Sequence, residues 1–190
     1  MEELLSALFE ALTTLDTQVA YGVAVARTPL ATKLFTSVTG LGSATAALVL
    51  VGLFRAAGWT RAFRRAGVAL AVCGVAVGTL MLTVQRPFPP QPVCTTAGES
   101  VATSFPSGHA ASATVFALVA HRSEALPTAV GAVLAAAVAV SRVYLGTHYL
   151  TDTVAGVVIG ALAFLLAGRV LARYSDQAAA DVWGALSRVR

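Results

Sequence analysis

Residues 141–152 carry side chains that could bind and act on a phosphate group. The segment joins two apolar stretches and holds His148 with Asp152 four positions later. If a helix begins by residue 148, imidazole and carboxylate share one face, where the carboxylate can hold the imidazole tautomer and stabilise its cation. Arg142 adds a guanidinium that can bind two oxygens of an oxyanion. Because ionisable groups in an apolar setting are costly, this set predicts a functional site.

Residues 105–110 combine a helix start with a second histidine. Pro106 restricts the backbone before the helix, and Ser107 can cap its first turn. Gly108 would let a ligand approach the backbone, so the free N–H groups of the helix N-terminus predict an anion site. His109, in the first turn, would face the same anion and could give a proton to a departing alkoxide.

A third segment begins with Arg86-Pro87 and is stiffened by further prolines. Alone, an arginine just outside an apolar span is more typical of a headgroup anchor. Together the three segments supply two arginines, a helix N-terminus, two histidines and an aspartate, which suits phosphoryl transfer without a metal. The spacing only weakly favours His148 over His109 as the attacking group, through the nearby Asp152.

These motifs resemble the type 2 phosphatidic acid phosphatase superfamily, which includes membrane lipid phosphatases, vanadium haloperoxidases and glucose-6-phosphatase. The likeness spans about residues 34–172, with P-S-G-H complete at 106–109 and S-R-x5-H-x3-D complete at 141–152. The remaining motif, K-x6-R-P, is matched only at Arg86-Pro87, because Thr79 occupies the lysine position. Sliding the motif by two residues would place Met81 at that position and lose both cations.

The resemblance implies a role for each matching residue. His148 would attack phosphorus to form a phosphohistidine, and Asp152 would orient the ring and stabilise its charge. His109 would protonate the leaving group and then activate water. The phosphoryl oxygens would be held by Arg86, Ser107, Gly108 and Arg142. No metal or other cofactor is implied.

The composition indicates that lipid surrounds most of the chain. Hydrophobic residues make up 57% and charged residues 12%, whereas a typical soluble domain carries about 25% charge. The basic residues form no face with interleaved aromatics, so a nucleic-acid partner is not expected. We predict an all-α, polytopic transmembrane bundle of five to six helices with the active site at one membrane face. The predicted spans are residues 34–54, 66–85, 107–120, 125–141 and 153–168, the last extending towards 148 and 173.

The arginines predict the orientation of this bundle. They cluster at residues 55–65, at 122 and at 169–173, so these ends should face the cytoplasm and the motifs should lie on the extracytoplasmic face of the cell membrane. We expect one transmembrane domain over residues 1–173, with the motifs in 34–172, followed by a cytoplasmic tail at 174–190. Residues 1–27 should form an amphipathic interfacial helix or a first span.

Glycines and one acidic residue complete the structural predictions. The pairs Gly74-x-x-x-Gly78 and Gly156-x-x-x-Gly160 predict close helix packing. Residues 40–42, Gly-Leu-Gly, predict a flexible point in or near a span, and Asp16 is expected at the membrane interface.

The leading hypothesis is hydrolysis of a lipid phosphate or diphosphate. Phosphatidic acid, phosphatidylglycerol phosphate and an isoprenyl carrier diphosphate are all compatible substrates, and membrane lipids are the expected partners. Two alternatives stay open. The phosphoryl group could pass to an acceptor alcohol instead of water, or the absence of the motif lysine could mark a non-catalytic lipid-phosphate binding or transport protein.

Overall fold

Small polar caps divide the apolar sequence into helices. The hydroxyls of Thr28, Ser43 and Ser107 each accept a backbone N–H from three residues ahead and so begin a helix. The computed structural model describes residues 2–90, 92–94 and 103–187, with side chains as far as residue 174. Over those ranges it contains helices and turns but no strand. The elements are α1 (Glu2–Val25), α2 (Pro29–Thr39), a 3₁₀ turn (Gly40–Gly42), α3 (Ala44–Ala56), α4 (Thr60–Val84), α5 (Gly108–His121), α6 (Thr128–Tyr144) and α7 (Leu150–Ser187).

Two of the described helices are long and apolar enough to cross a membrane: α4, and the Leu150–Tyr174 part of α7. The α2–α3 pair qualifies as a third span if it is counted as one, although it bends by 57°. That bend falls on the Gly-Leu-Gly turn, where the sequence predicted a flexible point. The all-helical class is therefore confirmed, while the count of five to six spans stays a prediction.

Helix α5 lies in the middle of the bundle and packs against α4, α6 and α7. The close packing predicted for Gly156 and Gly160 is confirmed. A β-carbon on Gly156 would meet the backbone carbonyl oxygen of Ser107, and one on Gly160 would meet that of Ala111. The two glycines therefore let the start of α5 lie directly against α7.

The same prediction is wrong for Gly74 and Gly78. A β-carbon at either position would have no neighbouring atom within 4 Å. The reason is that the described residues leave open space beside both positions. Gly74 instead lines an open apolar cleft that also includes Gly108 and His109.

Helix α1 exposes most of its apolar side chains, and only Asp16 and Ala20 on it are buried. Asp16 is 1% exposed, and this burial is a feature that the sequence did not predict. The carboxylate is buried because Arg86, seventy residues away in sequence, pairs with it at 2.7 Å. Through this pair α1 reaches the predicted site.

Candidate active site

Backbone hydrogen bonds bring the three motif segments together at one end of the bundle. The N–H of Ser104 donates to the carbonyl of Arg86 at 2.7 Å, which joins the end of α4 to the segment before α5. The N–H of Ser107 donates to the carbonyl of Asp152 at 3.0 Å, which joins that segment to α7. Because both bonds use the main chain, they hold the segments in register regardless of side-chain rotamers.

The turn between α6 and α7 presents His148. Gly146 adopts a φ of +69°, and a β-carbon there would collide with the carbonyl of Val93, so the turn requires glycine. The carbonyl of Arg142 accepts the N–H groups of Thr147 and His148, each at 3.2 Å. Helix α7 starts only at Leu150. His148 therefore precedes the helix by two residues, whereas the sequence argument assumed that it lay inside the first turn.

The ring of His148 is fixed by the main chain. Its Nδ1 lies 2.5 Å from the carbonyl oxygen of Ser104 and 4.0 Å from the nearer oxygen of Asp152. A carbonyl can only accept a hydrogen bond, so Nδ1 carries the proton and Nε2 keeps a lone pair in the neutral ring. The prediction that Asp152 holds the tautomer is thus wrong in detail, since 4.0 Å is too long for a hydrogen bond. Ser104, which lies just outside the motif, was missed.

Burial keeps His148 neutral. Its side chain is 4% exposed. Burial, followed by the positive charges of Arg142 and His109, lowers the pKa of His148 from 6.5 to about 3, against the opposing effect of the Ser104 carbonyl. A neutral imidazole with a free Nε2 lone pair is the form that can act as a nucleophile.

Asp152 is fully buried and anchors the start of α7. One carboxylate oxygen accepts a hydrogen bond from Nη1 of Arg86 at 2.6 Å, and the other accepts the N–H of Tyr149 at 2.9 Å. The second contact resembles the reciprocal half of a helix capping box. The carboxylate of Asp152 thus forms hydrogen bonds with Arg86 and with the start of α7. Its interaction with His148 is electrostatic, without a direct hydrogen bond.

Arg86 lies at the centre of a polar cluster. Its Nη1 also donates to the hydroxyl of Thr151 at 2.8 Å, and its Nη2 donates to Asp16 at 2.7 Å. The guanidinium carbon lies 4.1 Å from the centre of the Tyr149 ring. Burial opposes the charge, but the ion pairs with Asp16 and Asp152 raise the pKa of Arg86. The protein therefore takes three of the five N–H donors of a residue predicted to bind phosphate.

The remaining predicted residues lie around the same point. Ser107 is buried and caps α5, which begins at Gly108 as expected. His109 is half-buried and close enough for its charge to affect His148. Arg142 is 2% exposed, and its Nη1 donates to the hydroxyl of Thr39 at 3.0 Å. Thr39, at the end of α2, is a second contact that sequence reasoning missed.

The lysine position of the first motif is not part of this cluster. Thr79 is exposed on the side of α4. Met81, the alternative position, is half-buried, and its carbonyl accepts the hydroxyl of Thr103 at 3.4 Å. Neither position supplies a cation to the site.

The fold and this cluster define an all-helical membrane protein with a histidine-centred polar cluster at one end of its helices. The chain belongs to the PAP2 superfamily, whose family model matches residues 62–175. It is similar to the crystal structure of a transmembrane PAP2-type phosphatidylglycerolphosphate phosphatase from Bacillus subtilis, with 26% identity and a TM-score of 0.73 over 86% of this chain and 87% of that one. It also shares the fold of Aquifex aeolicus LpxE, with 24% identity and a TM-score of 0.65 over 80% of this chain and 93% of that one.

A further similarity in sequence is local. Over 58 residues the chain is 48% identical to decaprenylphosphoryl-5-phosphoribose phosphatase of Mycobacterium tuberculosis. The aligned segment spans 30% of this chain and 32% of that protein, about a third of each.

Proposed function

We propose that this protein is a phosphatase that hydrolyses a phosphomonoester or diphosphate of a membrane lipid through a phosphohistidine at His148. The observation that carries the proposal is the hydrogen bond of Nδ1 to the Ser104 carbonyl. It leaves Nε2 of a buried, neutral ring as the nucleophilic atom, beside Arg142 and His109. Membership of the PAP2 superfamily supports the same chemistry.

In the first step, Nε2 of His148 attacks phosphorus, the P–O bond to the lipid breaks, and His109 gives its proton to the departing oxygen. The new N–P bond leaves a positive charge on the imidazole ring. The Ser104 carbonyl and the Asp152 carboxylate, 2.5 Å and 4.0 Å from Nδ1, are placed to stabilise that charge. Asp152 keeps its proposed electrostatic role although it does not set the tautomer.

The phosphoryl oxygens would be held by two arginines and the start of α5. The contacts of Arg86 with described residues leave the N–H of Nε and one N–H of Nη2, which together form a side-on pair of donors. Arg142 supplies a second guanidinium. The start of α5 supplies the hydroxyl of Ser107 and the N–H of Gly108, since the N–H of Ser107 is already donated to the Asp152 carbonyl.

In the second step, His109 would take a proton from water as the water attacks phosphorus, and the N–P bond would break to restore His148. The same two histidines thus exchange acid and base roles between the steps. Because no step requires a metal, activity should persist in a chelator.

The relatives suggest substrates of one chemical class. By its name, the mycobacterial relative acts on a decaprenyl-linked phosphate, and the Bacillus protein acts on phosphatidylglycerol phosphate. Both carry a phosphate on a long apolar anchor. We therefore propose the same class of substrate for this chain, namely a phosphate that a lipid anchor presents at the end of the helices.

Phosphate release by the purified full chain in detergent and EDTA tests the proposal. The substrates are phosphatidic acid, phosphatidylglycerol phosphate and an isoprenyl diphosphate, each with wild type, His148→Ala and the control His121→Ala. His121 is exposed at the far end of α5. We expect release by wild type and the control only. Equal release by His148→Ala would disprove the assignment.

We also propose that α5 and α6 complete a five-span core with the site on the extracytoplasmic side. The support is the cluster of arginines at the opposite end of α4. In a Cys94→Ser background, a membrane-impermeant maleimide applied to intact cells should label a cysteine at residue 90 but not at residue 64. The reverse pattern would invert the topology.

A further inference from the structure

The buried carboxylate of Asp16 lies outside all three motifs, yet each of its hydrogen-bond partners among the described residues lies in one of the motif segments. One of its oxygens accepts the N–H of Thr151 at 2.9 Å. The other accepts Nη2 of Arg86 at 2.7 Å and forms a short hydrogen bond with the hydroxyl of Thr151. A buried charge is stable only when its partners offset the loss of hydration. The contacts of Asp16 therefore constrain those partners as much as they stabilise Asp16.

The partners of Asp16 are in turn next to the residues proposed to react. Thr151 precedes Asp152 in the first turn of α7, and Arg86 contacts both Asp16 and Asp152. Asp16 thus restrains one end of the Arg86 guanidinium and the N-terminus of α7. Two N–H groups of Arg86 are not used by these contacts. They keep a fixed direction only as long as Asp16 holds the guanidinium in place.

We propose that Asp16 is a positioning residue, which makes α1 a functional part of the site. It orients the guanidinium of Arg86 towards the phosphoryl group and fixes the start of α7, which directly follows His148 in the chain. This inference rests on the proposed function, but it concerns a helix that carries no recognised motif.

The test compares Asp16→Asn with Asp16→Glu and with Glu10→Gln, a control that removes an exposed carboxylate from the same helix. We expect Asp16→Asn to lower kcat at least about tenfold, because a misdirected guanidinium loses charge-assisted contacts in the transition state. KM should change less than kcat. Asp16→Glu keeps the charge and should recover part of the loss, whereas Glu10→Gln should behave as wild type.

Binding of inorganic phosphate, measured by calorimetry on the same variants, provides a readout that does not depend on turnover. Weaker binding by Asp16→Asn than by Glu10→Gln supports the inference. Wild-type kcat and phosphate binding in a folded Asp16→Asn would overturn it, as would activity losses that follow only the melting temperatures. If wild type releases no phosphate from any lipid, the proposed function fails, while the calorimetry still decides the role of Asp16.

An independent observation concerns the opposite end of α4. A cleft of about 500 Å³ opens between the α3–α4 turn and the α5–α6 turn. Its wall includes Arg61, Arg65 and Arg122 but only one carboxylate, Glu124. Among the residues whose side chains are described, none of these arginines forms an ion pair with a carboxylate. The cleft therefore has an excess of positive charge that the described residues do not neutralise.

Arg65 is held in this cleft by packing. Its guanidinium carbon lies 4.3 Å from the centre of the Phe164 ring, and a β-carbon on Gly168 would collide with its Nη2. Its Nε is shielded from solvent and makes no hydrogen bond with any described residue. A preorganised guanidinium of this kind is suited to two-point binding of a phosphate.

We infer that the cleft binds the phosphate of an anionic lipid headgroup, at the membrane surface opposite the proposed active site. The 25 residues of α4 would separate the two sites by roughly 37 Å. Trp59, which also lines the cleft, is a side chain typical of the membrane–water interface. A lipid headgroup explains both the charge and the position at a helix end.

The fluorescence of Trp59 can report this binding directly. The chain has two tryptophans, so Trp183→Phe leaves Trp59 as the only emitter. Detergent-solubilised protein is titrated with phosphatidylglycerol, phosphatidylcholine or soluble glycerol phosphate. The variants are Arg65→Gln, Arg122→Gln and the control Arg64→Gln, which removes an exposed arginine beside the cleft but not in its wall.

We expect phosphatidylglycerol to bind at least about tenfold more tightly than the other two probes, because only it combines a net negative charge with a membrane anchor. Arg65→Gln and Arg122→Gln should each weaken binding about tenfold, and Arg64→Gln less than twofold. Equal effects at residues 64 and 65 would reduce the cleft to general surface charge and overturn the inference. Equal affinity for phosphatidylcholine, or for glycerol phosphate, would overturn the lipid assignment.

Discussion

The two ends of α4 use arginine in opposite ways. At one end Arg86 is held by Asp16 and Asp152, which form hydrogen bonds of 2.7 and 2.6 Å with it. At the other end Arg65 stacks on Phe164 and has no described carboxylate partner. A guanidinium paired with buried carboxylates has a fixed direction, whereas one without them keeps its capacity for an external anion. The carboxylates at the first end therefore orient the donors that Arg86 keeps for a phosphoryl group, whereas Arg65 at the second end keeps its donors for an anion without such an orienting pair.

The same two ends of the bundle are also connected by α5, which carries a histidine near each end. The largest difference between the ends is expected when these two histidines are replaced. His109→Gln at the site end should lower kcat by about 10² to 10⁴-fold, because the leaving oxygen loses its proton donor. His121→Gln at the other end of the helix should leave kcat within about twofold, as an exposed side chain away from the site. Phosphate release from phosphatidic acid measures both. Comparable losses in the two variants would remove the functional distinction between the ends of α5.

Arginine geometry offers the next test. Arg142→Lys keeps the charge but loses the planar fork, so we expect kcat/KM to fall about 10²-fold. Arg64→Lys, an exposed site near the other end of the bundle, is the matched control and should change kcat/KM by less than about twofold. Steady-state kinetics on one lipid substrate suffice. An Arg142→Lys enzyme with normal kinetics would show that only charge is needed at the site.

Packing should matter at the site end and not along the open face of α4. Gly156→Ala places a methyl group against the Ser107 carbonyl and should destabilise the protein by about 1–3 kcal/mol. Gly74→Ala meets no atom within 4 Å and should be neutral or stabilise α4 by up to about 1 kcal/mol. Thermal unfolding in detergent compares the two. Equal melting temperatures would mean that the α5–α7 contact is looser than described.

The last test concerns the pH dependence of stability. The pKa of His148 is lowered from 6.5 to about 3 in the folded protein. Between these two pH values the ring is protonated in the unfolded chain but neutral in the native state. His148 should therefore contribute a loss of stability as the pH falls from about 6.5 towards 3, by at most about 1.4 kcal/mol per pH unit. Unfolding midpoints against pH, for wild type and His148→Gln, isolate this term. Identical slopes would show that folding does not lower the pKa of His148.

The residues of the candidate site could be predicted from sequence because the prediction depends on residue types at short spacing. Ser107 and Gly108 form a helix start wherever they follow such a proline, and His148 and Asp152 are close because few residues separate them. The helical class followed from apolar length, since a membrane requires backbone hydrogen bonds to be satisfied within each segment. The two glycines at residues 40–42 also predicted a flexible point, and the chain bends there.

The partners of these residues were decided only by tertiary structure. The burial of Asp16 could not be predicted, because nothing local marks a carboxylate for burial and its partner Arg86 lies seventy residues away. The tautomer of His148 is set by the backbone of Ser104, whose carbonyl has no side-chain signature. Gly74 and Gly156 belong to the same sequence pattern, yet only Gly156 has a helix packed against it. A side-chain pattern describes what a residue can contact, and the packing of distant segments determines what it does contact.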